Sequence, residues 1–270
     1  INWGEGSWWI MGSYYLRNWH MRWFQDHLED GVTIRDISDA TIGFGLAGPK
    51  SREVLASLTH QDVSHDAFGF MGCQEVDVGL IRSKVVRLSV CGELGYEINC
   101  NALEHIALRE MLLEAGRDHG IREFGFYAMN ALRLEKSLGI WSAEFTQDRT
   151  PAMTGMDRWI DWTKTDFIGR DAALEVRQND TASQRMVALE IDAEHADASG
   201  YEPVWLHNRR IGFTTSGGYG HYTGKSLAMA LVDRYISDDA ELSVHVVGKL
   251  RDAQILTEPA WDPSGERMRA

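Results

Sequence analysis

The sequence has few cysteines and no long apolar run. Its three cysteines, Cys73, Cys91 and Cys100, include no close pair, so they fit neither a disulfide framework nor a four-ligand zinc site. No stretch approaches the roughly 18 to 20 consecutive apolar residues of a membrane-spanning helix, and Arg17 soon interrupts the aromatic opening of the chain. We therefore expect a soluble, cytoplasmic protein with no metal site and no membrane contact.

Basic residues are outnumbered by acidic ones. The chain carries 27 Lys and Arg against 40 Asp and Glu, which gives a formal net charge of −13. Such a surface repels a phosphate backbone, and nucleic-acid binding is excluded on this ground. The 270 residues are 44% hydrophobic and 25% charged, which is the balance of a globular protein of one large or two ordinary domains.

The first 180 residues mix helical and strand patterns. Apolar residues recur at helical spacing from residue 14 to 29, and Gly31 follows as a C-terminal cap. The other predicted elements are strands at 33–37, 41–46, 80–81 and 85–90, a short helix after Gly48-Pro49, and helices over 102–115 and 126–138. This part is therefore α+β.

The pattern changes near Ala182. Short β-rich runs follow at 186–191, 204–206, 211–215, 227–232, 242–247 and 253–256. Their spacing and the turn residues between them predict a small antiparallel β-barrel or sandwich. The expected domains are residues 1–180 and residues 181–270.

The segment from Gly92 to Glu97 is the most informative one for function. Its two glycines let a backbone turn sharply or approach a flat ligand. A carboxylate matches a 2-aminopyrimidinone ring, because it accepts two parallel N–H bonds from the ring and its amino group. Glu97 is the candidate acceptor, and the alternative is an ordinary hairpin with a solvated glutamate.

Two further segments attract notice. On the predicted helix, Arg133 and Glu135 diverge because residues two apart do not share a face, so one of them can turn inward. The pattern favours the alternative, a charged helix surface. The glycine-rich segment 215–221 lacks the spacing of a phosphate loop. It predicts a β-turn, with His221 in a structural role.

Several segments in order resemble the folate-binding aminomethyltransferase family of glycine cleavage T-proteins. They are Gly48 to Arg52, Gly92 to Glu97, Leu132 to Lys136, Asp166 to Leu174, Ser216 to His221 and the closing Asp262 to Arg269. The third and the last two look most like the C-terminal folate part of dimethylglycine and sarcosine dehydrogenases.

This resemblance implies a folate-binding domain followed by a C-terminal β-barrel domain. It further implies transfer of a one-carbon unit from a methylamine-derived donor to tetrahydrofolate, with a transferase or oxidoreductase as the parent enzyme. By the family pattern the folate site includes Glu97, Tyr96, Glu93 and Arg133. FAD, where the reaction uses it, is expected on a missing segment or on a partner flavin subunit.

Three departures from the family pattern keep alternatives open. Val90-Cys91 stands where relatives have Tyr-Thr, Met129 stands where T-proteins have arginine, and the chain lacks the N-terminal portion that holds an aspartate of the one-carbon chemistry. No catalytic residue is assigned. The alternatives are a folate-dependent demethylase of another methylated substrate and a non-catalytic, family-derived subunit. A missing layer predicts exposed tryptophans near the N-terminus and self-association.

Overall fold

A computed structural model describes all residues from 1 to 270. The strands are β1 (Asn2–Gly4), β2 (Ser7–Trp8), β3 (Thr41–Ala47), β4 (Cys73–Val78), β5 (Ile81–Val86), β6 (Gly95–Asn101), β7 (Gln184–Ile191), β8 (Pro203–Leu206), β9 (Arg209–Gly220), β10 (Lys225–Asp233), β11 (Leu242–Val246) and β12 (Lys249–Leu256). The α-helices are α1 (Arg17–Asp26), α2 (Ser51–Ser57), α3 (His105–Ala115), α4 (Phe126–Glu135), α5 (Pro151–Thr154), α6 (Arg170–Asn179) and α7 (Glu266–Arg269). Short 3₁₀ helices cover Tyr14–Leu16, Ala102–Glu104, Arg117–His119 and Met156–Trp159. None of the helices is both long and apolar enough to cross a membrane.

The chain forms two compact units. Unit 1 comprises residues 1–125 and 264–270, and unit 2 comprises residues 126–263. Unit 1 is built on a four-stranded antiparallel sheet in the order β3-β6-β5-β4. Because successive side chains of a strand point to opposite faces, alternate residues of the sheet form its core face. Ile98 and Val85 are fully buried on that face, and they share one apolar cluster with Leu55 of α2 and Leu108 of α3.

Several predicted elements of unit 1 differ in the structure. The strands predicted at 80–81 and 85–90 are wrong in their bounds, because residues 79 and 80 form the turn between β4 and β5, and β5 ends at Val86. The strand predicted over 33–37 is wrong, because these residues form no strand and instead line a cavity. A β-rich run forms a strand only where a neighbour pairs with it. The helix predicted over 14–29 is present in shorter form, and α1 buries none of its residues. Of the four tryptophans expected to be exposed, Trp8, Trp19 and Trp23 are 65%, 45% and 42% exposed, whereas Trp9 is half-buried.

Unit 2 contains a closed six-stranded antiparallel barrel in the order β10-β7-β12-β11-β8-β9. Closure leaves no unpaired strand edge. Ala228 and Ala230 of β10 face the apolar interior, whereas Leu227 and Met229 between them pack with Leu134 of α4 on the outer surface. All six predicted β-runs of this part of the chain are strands of the barrel.

The predicted α+β class and the C-terminal antiparallel barrel are confirmed. The first barrel strand begins at Gln184, directly after the predicted junction near Ala182. The compact units divide earlier, after Gly125, because α4 packs on the outer surface of the barrel. A domain division at residue 180 therefore stays a prediction.

Candidate functional site

Glu97 lies on the face of the unit 1 sheet that points away from the core. Its neighbours Tyr96 and Ile98 are buried on the core face, so strand alternation places Glu97 and Asn99 on the opposite face. In the sheet register, Glu97 is paired with Gly45 of β3 on one side and with Val86 of β5 on the other. The strand predicted at 41–46 thus forms one side of the site.

The Glu97 carboxylate is half-buried and makes no hydrogen bond or ion pair within the protein. Burial raises the pKa of this carboxyl group above its ordinary value of 4.5, because a partly desolvated charge is less stable than the neutral acid. Buried polar groups in proteins are nearly always hydrogen-bonded. A half-buried carboxylate without a partner is therefore suited to accept N–H groups from a ligand.

On the β3 side, the surface beside Glu97 carries no side chain, because its paired residue there is Gly45. A Cβ atom built on Gly45 would meet no atom within 4 Å, so there is open space over this strand. At Gly43, in contrast, a Cβ atom would collide with Oδ1 of Asn99, whose side chain covers this position. Gly45 therefore leaves an open strip of backbone next to the carboxylate, which can accommodate a planar ring.

Sequence reasoning missed Gly43 and Gly45. The signal was available, because Gly43, Phe44 and Gly45 alternate in a run that was already predicted as a strand. Glycine in a strand often marks a place where a ligand or another backbone approaches closely.

A cavity of about 350 Å³ lies in the same unit. Thr41 and Asn99 line it from the sheet, and Trp9, His20 and Phe24 are among the residues that line it from the N-terminal segment. The sheet face that carries Glu97 thus continues into an aromatic-walled space.

Tyr96 points to the core side of the sheet. It is 1% exposed, its ring lies 5.7 Å from that of Phe68, and its hydroxyl oxygen accepts a hydrogen bond of 3.2 Å from Nε of Arg52. Glu93 is half-buried in the loop that leads into β6. Of these two predicted folate residues, Tyr96 does not share the sheet face of Glu97.

Arg133 belongs to unit 2 and is fully buried. Its Nη1 donates to Oε2 of Glu144 at 3.0 Å and to the carbonyl of Leu138 at 3.0 Å, while Nη2 donates to Oδ1 of Asn130 at 2.7 Å. Burial lowers the pKa of Arg133, and Glu144 opposes that change. The predicted folate role of Arg133 remains untested, but its guanidinium is engaged in holding unit 2 together.

The interpretation of the Arg133 and Glu135 segment as a charged helix surface is wrong. Glu135 is only 2% exposed, and its Oε1 accepts hydrogen bonds from the backbone N–H of Tyr222 at 2.9 Å and of Thr223 at 2.8 Å. Both charges are buried because each has partners that replace water. Glu135 also accounts for Gly220, where a Cβ atom would lie 2.8 Å from its side chain.

The β-turn predicted over the glycine-rich segment is wrong for most of its length, because residues 215–220 belong to strand β9 and the turn into β10 covers residues 221–224. His221 lies exposed in this turn. No group of three or more His, Cys, Asp or Glu side chains is arranged to hold a metal ion.

Comparison with known proteins agrees with this architecture. The model of the GCVT N-terminal domain matches residues 1–164, and that of the glycine cleavage T-protein C-terminal barrel domain matches residues 184–262. The chain therefore belongs to the glycine cleavage T-protein family.

The curated relatives are longer than this chain. Human mitochondrial dimethylglycine dehydrogenase is 35% identical over 256 residues, which cover 92% of this chain and 29% of that protein. The aminomethyltransferase of Halalkalibacterium halodurans is 30% identical over 245 residues, covering 91% of this chain and 66% of that protein. The chain thus spans less than a third of the dehydrogenase.

A solved structure supports the fold. The crystal structure of the glycine cleavage system aminomethyltransferase T from Bartonella henselae aligns with a TM-score of 0.72 at 25% identity. The alignment covers 83% of this chain and 60% of that one.

Proposed function

We propose that this chain binds tetrahydrofolate and serves in one-carbon transfer as part of a dimethylglycine or sarcosine dehydrogenase-like enzyme. The observation that carries the proposal is the Glu97 carboxylate, which is half-buried and has no partner beside the open strip at Gly45. A carboxylate in this setting can accept two parallel N–H bonds from a 2-aminopyrimidinone edge. The pterin of tetrahydrofolate presents that edge on a flat ring.

The contribution of the protein is mainly positioning. When bound, tetrahydrofolate supplies the two nitrogens that take up the one-carbon unit as the 5,10-methylene form. Glu97 fixes the opposite edge of the ring, and the glycine strip lets the ring lie against the sheet. Holding the acceptor in one orientation removes much of the entropic barrier to reaction with a methylamine-derived donor.

The other predicted residues take supporting roles in this proposal. Glu93 lies in the loop that sets the start of β6, four residues before Glu97. Tyr96 holds the same strand from the core side through Arg52. Arg133 acts indirectly, through the fold of unit 2. A flavin, where the reaction has one, is proposed to lie outside these 270 residues or on a partner chain.

Isothermal titration of tetrahydrofolate, or of its 5-formyl analogue, tests the pocket. Glu97→Gln replaces an acceptor oxygen by a donor NH₂ and removes the charge, so we expect a loss of roughly 1.5 to 3 kcal/mol, or about ten- to a hundredfold in affinity. Glu93→Gln serves as the matched control and is expected to weaken binding less. Equal affinities for the wild type and Glu97→Gln would refute the pocket.

The second candidate function is a non-catalytic subunit. The buried Cys91 and the partly exposed Val90 favour it, because neither supplies the phenol that relatives place there. The two functions differ in one result. A wild-type chain that shows no detectable folate binding supports the non-catalytic subunit, whereas binding with the expected loss in Glu97→Gln supports the folate site.

A further inference from the structure

A second cavity, of about 810 Å³, lies in unit 2 where β7 ends and β10 begins. Ser226, Ile191 and Ala253 form one row of the barrel register across three strands. All three are buried, and all three line this cavity. This row forms part of the cavity floor, to which Ile191 and Ala253 contribute apolar surface and Ser226 a hydroxyl group.

The rim of the cavity is strongly acidic. Six carboxylates line it, from Glu190, Asp192, Asp238, Asp239, Glu241 and Asp252. The only cationic side chain in the lining is Lys225, whose Nζ lies 2.7 Å from Oε2 of Glu190. Asp238 is paired with Arg185 at 2.6 Å from outside the cavity. Asp192 and Asp252 lie side by side, since the backbone N–H of one donates to the carbonyl of the other at 2.8 Å.

Ser226 provides an independent sign of a ligand. The residue is 6% exposed, and its buried Oγ has no hydrogen-bond partner in the protein. Leaving a buried hydroxyl group unpaired costs on the order of 1 to 3 kcal/mol. A ligand that reaches the floor of the cavity with an N–H group would satisfy this oxygen.

We propose that this cavity binds an aliphatic polyamine. Ammonium groups match the carboxylates of the rim, methylene segments match the apolar part of the floor, and one amine N–H donates to Oγ of Ser226. The volume is that of a typical small-molecule site. A metal ion is the poorer match, because no three acidic, His or Cys side chains are arranged to coordinate one.

Titration of spermidine into the full chain at low ionic strength tests this site. We expect saturable one-to-one binding that weakens as salt is raised, since screening reduces the attraction between exposed charges. The double variant Asp192→Asn, Asp252→Asn should bind about tenfold more weakly. Ser226→Ala should bind roughly two- to fivefold more weakly, because it removes one hydrogen bond to the ligand.

Asp171→Asn is the control for a general charge effect, because it removes one carboxylate charge from a fully exposed position on α6 of the same unit. It should leave spermidine binding unchanged. Three results would overturn the proposal: no saturable binding by the wild type, unchanged binding by both cavity variants, or equal weakening in Asp171→Asn. The last result would show only general attraction to an acidic surface. Circular dichroism of each variant verifies that it is folded.

Discussion

Two glutamates, one in each compact unit, are removed from water but differ in the number of hydrogen-bond partners that the protein gives them. Glu144 in unit 2 is fully buried, and its two oxygens accept hydrogen bonds from Arg133, the backbone N–H of Ile140, Thr215 and Ser216. Glu97 in unit 1 is half-buried and has no partner. A carboxylate with every acceptor position used holds a fold together, whereas one without partners is available to a ligand.

The comparison predicts its largest effect in the barrel unit. Glu144→Gln leaves the buried guanidinium of Arg133 without a counter-charge, so we expect the free energy of unfolding to fall by about 3 to 5 kcal/mol. Urea denaturation measures this loss. Glu190→Gln, which breaks the partly exposed pair with Lys225, is the control and should cost at most about 1 kcal/mol. A similar loss of unfolding free energy in the two variants would contradict the claim that Glu144 stabilises the fold more than the partly exposed pair does.

This contrast also marks what the sequence could predict. Local patterns identified all six barrel strands, because strand periodicity and turn residues act over a few positions. Local patterns did not identify β6 as a strand. They could not show that Arg133 and Glu135 are buried. The partners of Glu135 in particular come from distant residues, such as Tyr222, which lies 87 positions away.

The candidate site divides in the same way. The carboxylate of Glu97 was identified from its motif, but the open strip opposite it depends on the pairing of β3 with β6. That pairing joins Gly45 to a residue more than fifty positions away. The position of Tyr96, in contrast, follows from local sequence alone, since strand alternation places it on the face opposite Glu97.

The second prediction concerns the open strip. Gly45→Val places a branched side chain where the planar ring is proposed to lie, so folate affinity should fall by about tenfold or more. The fold should tolerate the change, because valine favours strands and there is free space at this position. Titration of tetrahydrofolate, with thermal denaturation in parallel, measures both effects. Ile42→Val, on the other face of the same strand, is the control and should leave folate affinity unchanged. If Gly45→Val binds tetrahydrofolate as tightly as the wild type does, the ring does not lie on this strip.

The third prediction uses the raised pKa of Glu97. The ligand requires the ionised carboxylate, so folate affinity should decrease as the pH falls through this pKa, by up to about tenfold per pH unit below it. Titrations between neutral pH and about pH 4.5 measure the dependence. Glu97→Gln binds folate more weakly, and its affinity should not show the decrease that protonation of Glu97 causes in the wild type. A wild-type profile parallel to that of the variant would assign the titration to another group.

The smallest effect is on the stability of the ligand-free protein, and it has the opposite sign from the effect on binding. Since the pKa of Glu97 is higher in the folded than in the unfolded chain, its ionised form opposes folding at neutral pH. Glu97→Gln should therefore make the protein slightly more stable at pH 7. This gain should vanish as the pH falls from the raised pKa towards the unfolded value of 4.5, where both states hold the proton. Urea denaturation at pH 7 and near pH 4.5 separates the outcomes. A variant that is less stable than the wild type at pH 7 would mean that Glu97, like Glu144, contributes to the fold, and the contrast between the two carboxylates would no longer hold.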